Sequence, residues 1–240
     1  MKMFLNILPL LVSIITFNSL HAQTVDEIVD RHIIAMGGKD KLVRLNSVHM
    51  EMISYDGSGK DRPASVTTVE GKAYISDSEM GGQKIKQVMT SKGGYVIIGN
   101  QAPKSLTPEQ LKQAESEIYV TSPFYNYAAK GSKIELLGKE MVGDINAFKL
   151  KLTNKSGVET IYFIDPADYY IIKSARTMDR GGKQVTISVT SSDFRKTDEG
   201  YVFAYEVKTS VGALLVTTKI SSIIINPQVD PNEYAMPDLK

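Results

Sequence analysis

From Glu159 onward the chain reads ETIYFID (159–165), DYYIIKSARTM (168–178), KQVTISVTSSDF (183–194), YVFAYEVKTS (201–210) and ALLVTTKISSIII (213–225). These runs are rich in β-branched and aromatic side chains, and the intervals between them hold Pro, Asp and Gly and no helical stretch. Segments of this kind pair as successive hairpins, so the C-terminal third is an antiparallel meander. Asp165-Pro166-Ala167-Asp168 has the composition of a type I turn between two of these strands. It is read as a turn and not as a catalytic carboxylate pair.

The same period continues upstream. Val48, Met50 and Met52 alternate with His49 and Glu51, and strand-like runs follow at 64–70, 72–77, 84–90 and 95–98, with another pair at 133–141 and 147–153. Asp56-Gly57, Gly81-Gly82, Gly93-Gly94 and Gly181-Gly182 sit at junctions, where tight hairpins require positive φ. Two segments break the β pattern. Thr24-Val25-Asp26-Glu27 has the form of a capping box and opens an amphipathic helix through Val25, Ile28, Val29, Ile33 and Met36, stopped by Gly37-Gly38. Thr107-Pro108-Glu109-Gln110 repeats that signature at the head of an insertion spanning about 105–130. There Leu111, Ala114 and Ile118 share one face, and an aromatic stretch, Phe124-Tyr125-Asn126-Tyr127, follows Pro123.

Composition narrows the function. Lys2, an apolar run from Phe4 to Phe17 and small residues before Gln23 form the pattern of a secretory leader cleaved after Ala22. That run is shorter than the roughly 18 residues of a spanning helix, and no later run approaches it, so residues 23–240 are expected to form one soluble, exported domain, which the resemblance described below would place in the periplasm. Removing Lys2 with the leader brings the 28 basic residues level with the 27 acidic ones, which argues against a nucleic-acid partner. Cysteine is absent, so disulfides, thiolate chemistry and N-terminal lipidation are excluded. His32 and His49 lack metal-ligand spacing, no Gly-x-Ser-x-Gly elbow occurs, and Gly57-Ser58-Gly59-Lys60-Asp61 lacks the first glycine and the final Ser or Thr of a phosphate loop. No cofactor is expected.

The order of the C-terminal elements carries a resemblance: the strand ending Asp165-Pro166, the strands to Met178 and to Asp193-Phe194, Glu199-Gly200-Tyr201-Val202-Phe203, and the tail Ile225-Asn226-Pro227-Gln228-Val229-Asp230. With Ile33-Ile34-Ala35-Met36-Gly37-Gly38-Lys39-Asp40-Lys41-Leu42 near the start, the chain resembles the lipoprotein carrier and receptor superfamily of the bacterial envelope, the LolA and LolB type. Ala204 departs from it, standing where members often carry proline.

The resemblance implies a mainly β fold with few helices (α+β): a strongly curved antiparallel sheet forming an unclosed half-barrel, covered by the N-terminal helix and the helical insertion. It also implies a non-enzymatic carrier of lipoprotein acyl chains or another apolar ligand, working between inner- and outer-membrane donor and acceptor proteins. On that reading Met50, Met52, Met89, Leu111, Ile118, Phe124, Tyr125 and Tyr127 line the hollow and its lid, methionine suiting irregular guests. Ordinary core packing competes for each of these residues. Two other functions compete with transport: an envelope interaction module with a filled core, and a hydrolase, which would need ionisable groups gathered in one cleft.

Overall fold

The computed structural model describes residues 23–57, 60–180 and 182–237; the expected leader, Ser58 and Gly59 of the Gly57–Asp61 stretch, and Gly181 lie outside them. Helix α1 (Val25–Ala35) begins with the expected box: the Thr24 hydroxyl accepts from Glu27 N at 3.2 Å, and the Glu27 carboxylate accepts from Thr24 N at 3.1 Å. Ile28, Val29, His32 and Ile33 form its buried face. Gly37 and Gly38 end it at φ of +123° and +87°, angles that glycine adopts without a Cβ clash. A single turn, α2 (Lys39–Leu42), leads into the sheet.

The first strands are β1 (Ser47–Tyr55), β2 (Arg62–Val69), β3 (Ala73–Met80), β4 (Gln83–Thr90), β5 (Gly93–Ile98) and β6 (Lys104–Ser105). After α3 (Pro108–Gln113) come β7 (Lys133–Val142), β8 (Ile145–Thr153), β9 (Glu159–Ile164), β10 (Ile171–Arg180), β11 (Lys183–Lys196), β12 (Val202–Val211) and β13 (Leu214–Ile225). All 13 strands belong to one antiparallel sheet, in the order β6-β5-β4-β3-β2-β1-β13-β12-β11-β10-β9-β8-β7. The sheet is the expected half-barrel, curved and unclosed. Two meanders are stitched together by β1 and β13, from Val48 opposite Ile225 to Tyr55 opposite Thr217, with an irregularity between Glu51 and Met52.

That order makes β6 and β7 the two edges, so residues 106–132 must travel from one edge to the other across the concave side. They form a strap. Its α-helix is shorter than Leu111, Ala114 and Ile118 suggest: α3 stops at Gln113, and Glu115–Ile118 tightens into a 3-10 turn. The cause is competition for backbone groups. Ile118 O accepts from Gly71 N at 2.8 Å, and the next amides are taken by a carboxylate described below, so the chain cannot go on bonding to itself.

The main core lies between α1, the strap's aromatic stretch and the β7–β9 end of the sheet; Ile28, Ile33, Phe124, Leu150 and Ile164 are nearly inaccessible. Phe124 packs edge-on against His32 and Tyr162, with centroids 5.3 and 5.1 Å away. Burying a ring of that size contributes roughly 1.5–3 kcal/mol. A smaller cluster of Ile75, Val88 and Tyr95 is covered by Val229 and Tyr234 of the C-terminal tail.

The junction glycines have different reasons. Gly81 and Gly82 occupy positive φ at +61° and +76° in the β3–β4 hairpin, as expected. Gly94 does not. It lies within β5, where an added Cβ would stand 2.7 Å from Val88 O and 2.8 Å from Leu106 Cδ1, so it is glycine because the strap rests on it. Gly94→Ala should therefore cost about 1–3 kcal/mol in urea denaturation through overpacking, and a change below about 0.5 kcal/mol would contradict the close approach.

Candidate functional site

The strap is held at both ends by polar contacts that span long sequence separations. At the β2 end, the Glu70 carboxylate accepts from Val120 N at 2.7 Å, Thr121 N at 3.1 Å and Thr121 Oγ1 at 2.7 Å. Lys130 completes this knot: its ammonium lies 3.6 Å from Glu70 Oε1, donates to Thr121 Oγ1 at 3.0 Å and sits 4.3 Å from the Tyr119 ring centroid. Burial draws the Lys130 ammonium below its usual range, and the Glu70 charge opposes that pull. At the β10 end, Arg176 Nη1 donates to Gln113 O at 2.6 Å. Near the β8–β9 turn, Lys155 pairs with Glu115 at 2.8 Å.

A fourth anchor is His32, fully buried between α1, the strap and the loop before β10. Tyr169 O can only accept, so His32 Nδ1–H donates to it at 2.7 Å, and Nε2 accepts from the Ser122 hydroxyl at 2.6 Å. Ser122 Oγ in turn accepts from Phe124 N at 3.2 Å. This relay needs a neutral imidazole. Burial lowers the His32 pKa to about 4, partly offset by the bond to Tyr169. Tyr169 itself stands at φ +62°, an unusual angle that the loop holds with this contact and with Asp165 Oδ1 capping Ala167 N at 2.8 Å. Asp165 and Asp168 are thus turn residues, as the sequence suggests; Asp168 Oδ1 accepts from Tyr170 N at 3.2 Å.

Beneath the strap the sheet leaves space. A cavity of about 230 Å³ lies on the β8–β10 side, bordered by Leu152, Val158, Tyr162, Lys130 and Arg176. A second, of about 250 Å³, lies on the β1–β3 side against Val48, Met50, Val66, Tyr74 and Phe203. Ser116 and Tyr119 border both, so the 3-10 turn divides one hollow into two chambers. An apolar cavity of about 150 Å³ already admits a benzene-sized guest.

The hollow is not wholly apolar. The Glu117 side chain borders the second chamber and is exposed within it. Desolvation raises its pKa, with the Arg176 guanidinium opposing. Tyr74 and Tyr162 are each pushed up to about 12, first by burial and then by the Glu117 charge.

The expected ligand-lining residues fall into distinct places. Met50 borders the second chamber. Met89, Leu111 and Ile118 border an outer groove of about 420 Å³ between the strap and the β4–β5 turn. Phe124 and Tyr125 are buried in the main core, and Tyr127 packs against it. Met52 is half-buried and borders none of these spaces. Glu70, Glu117, Arg176, Tyr74 and Tyr162 carry no local signal in the sequence, since each gains its role from partners tens of residues away. Among the described residues no cluster of three or more His, Asp or Glu could hold a metal ion, and no helix is long and apolar enough to cross a membrane.

No family sequence model matches the chain, and no curated protein sequence matches it either. Solved structures do. A LolA superfamily protein from Nitrosomonas europaea superposes with a TM-score of 0.58 at 13% identity, covering 90% of this chain and 99% of that one. A domain described as an outer membrane lipoprotein-sorting protein from Vibrio parahaemolyticus gives 0.57 at 13% identity, covering 87% and 94%. A DUF1329 family protein from Desulfovibrio piger gives 0.60 at 12% identity, covering 89% and 98%. The fold is therefore LolA-like, as the order of the C-terminal elements implies.

The His32 relay has a pH signature. The unfolded chain protonates His32 near 6.5 and the folded protein only near 4, so between these values the unfolded state binds more protons and stability falls as pH falls. Urea titrations at pH 7 and pH 4.5 should differ by on the order of 2 kcal/mol from this residue. A His32→Gln variant that keeps the full pH dependence would show that the strap is not tied down this way.

Proposed function

We propose that this protein is a non-enzymatic carrier that holds the acyl chains of lipoproteins, or another apolar ligand, in the hollow beneath the strap. The observation that carries the reading is the pair of chambers in the concave side of a LolA-like half-barrel, roofed by a segment tied down by a few polar contacts. Polar side chains are numerous around the first chamber, yet apolar surface makes up the larger share of both walls. Each CH₂ removed from water contributes about 0.8 kcal/mol, so a lipid tail is held by on the order of 10 kcal/mol without any polar chemistry. A bilayer offers the tail a similar refuge. Exchange between protein and membrane then lies near balance, and what the carrier needs is a door.

The strap supplies it. Releasing Glu70 from Val120 and Thr121 would let the turn 115–119 swing off Ser116 and Tyr119's present seat and join the two chambers into one. Met50 would then contact the chain directly, Met52 further along β1 would extend that wall, and Met89, Leu111 and Ile118 would meet the guest as it passes the outer groove. Phe124, Tyr125 and Tyr127 would serve as the hinge that remains packed. In this reading the leader through residue 22 exports residues 23–240 to the periplasm as one domain, where inner- and outer-membrane proteins act as donors and acceptors.

Delipidated protein mixed with fluorescent palmitate or a triacylated lipopeptide should take up either one saturably. Protein that binds neither would overturn the carrier and leave an interaction module with its outer face as the working surface. Glu70→Ala removes the two carboxylate oxygens that accept three hydrogen bonds from the strap, each charge-assisted bond being worth about 1.5–3 kcal/mol. The release rate of bound label from this variant, measured by transfer to vesicles, should rise at least severalfold; an unchanged rate would mean the strap is not the door.

A further inference from the structure

The hollow contains an unlike charge pair that does not close. The Glu117 carboxylate, on the strap's 3-10 turn, has no hydrogen-bond partner among the described residues, and no ion pair joins it to Arg176 even though the guanidinium's field reaches it. Elsewhere in the strap, carboxylates and cations meet directly: Glu115 with Lys155 at 2.8 Å, Glu70 with Lys130 at 3.6 Å. Arg176 spends one of its five N–H donors on Gln113 O and turns into the first chamber, so further donors remain for a guest.

A second orphan lies one helical turn away. Gln113 Oε1 is buried with no partner, and its orientation is fixed because the amide nitrogen donates to Glu109 Oε1 at 2.9 Å. Gln113 borders the same chamber as Arg176. The underside of the strap therefore offers two acceptors that lack donors, at positions 113 and 117, beside a guanidinium with donors to spare. Leaving such groups unmet in a space filled by an acyl chain would be costly, because a buried charge or acceptor without a partner loses its hydration and gains nothing.

We propose that the ligand of this hollow carries a zwitterionic head, with an ammonium group that meets Glu117 and an anionic phosphate or carboxylate that meets Arg176. The proposal rests on the acyl-binding reading above and adds the head-group class to it. The tail lies along Val48, Met50, Val66 and Phe203, and the head sits where the 3-10 turn divides the chambers. Tyr74 and Tyr162, kept as neutral phenols, flank the head as hydroxyl donors. A singly anionic amphiphile satisfies Arg176 and leaves Glu117 facing a like charge.

The test uses three probes with one palmitoyl chain each, below their micellar concentrations, against the delipidated protein by native mass spectrometry or calorimetry. They are lysophosphatidylethanolamine, lysophosphatidylglycerol and uncharged monopalmitin. The ethanolamine lipid should bind about tenfold more tightly than the glycerol phospholipid, the scale of one charge-assisted contact. Glu117→Gln, at a position that borders open space, should erase that difference and keep chain binding. Arg176→Gln should lower the affinity of both phospholipids towards that of monopalmitin. Equal binding of all three by the native protein, or a preference that survives Glu117→Gln, would overturn the head-group assignment alone. Failure of all three to bind would overturn the acyl reading and this assignment with it.

Discussion

A single topological constraint governs this molecule: the chain begins in the middle of its sheet, builds outward to one edge, and must then start again at the other. Residues 106–132 make that journey across the concave side, where Phe124 and Tyr125 join the main core. The strap is therefore a consequence of strand order and not an ornament added to a finished barrel. Once it crosses, its backbone amides lie over a greasy surface, where unmet N–H groups are expensive. Glu70 answers this need by accepting from two successive amides and a hydroxyl, and His32 does the same from the far side by holding Ser122. The hollow exists because the strap is suspended from these points and does not sink onto the sheet.

Much of this architecture is legible in the sequence because strands and helix starts are written locally. The alternation of Val48, Met50 and Met52, the two boxes at Thr24 and Thr107, and the chain of C-terminal runs each state their own conformation within a few residues, and all of them are found in place. What escapes is whatever depends on distant partners. β6 is too short to have a pattern. The helix after Pro108 ends early because Gly71 and Glu70, some fifty residues back, claim its polar groups. Gly94 looks like a turn residue and is a seat for Leu106 and Leu111. The charged members of the hollow fare worst, since Glu117 and Arg176 read as ordinary surface residues on a strap turn and a strand.

Apolar patterning finds walls and misses furniture. Phe124 and Tyr125 are the most conspicuous greasy residues in the insertion, and they belong to the core that anchors it. The residues that give the hollow its character are polar, and folding alone would not require them there. A filled core would place leucine at position 117, and a surface turn would leave glutamate in bulk water. This chain does neither: the Glu117 carboxylate opens into the second chamber, within reach of the Arg176 charge, and it adds to the burial that raises the pKa of Tyr74 and Tyr162. Conflict between local convenience and an occupied interior is the expected mark of a site.

An unclosed barrel leaves two raw borders, each offering free amide and carbonyl groups to any extended segment nearby. Here β6 is only two residues long, and β7 is kinked where its pairing with β8 slips between Leu136 and Lys139, with Gly138 at φ +102° and Lys133, Glu135, Lys139 and Glu140 arrayed along it. β6 is too short to template another copy, and β7, though ten residues long with Leu137 and Met141 exposed, is interrupted by this shift and lined with charges. The sheet can therefore remain unclosed without handing a neighbouring copy a ready edge to pair with.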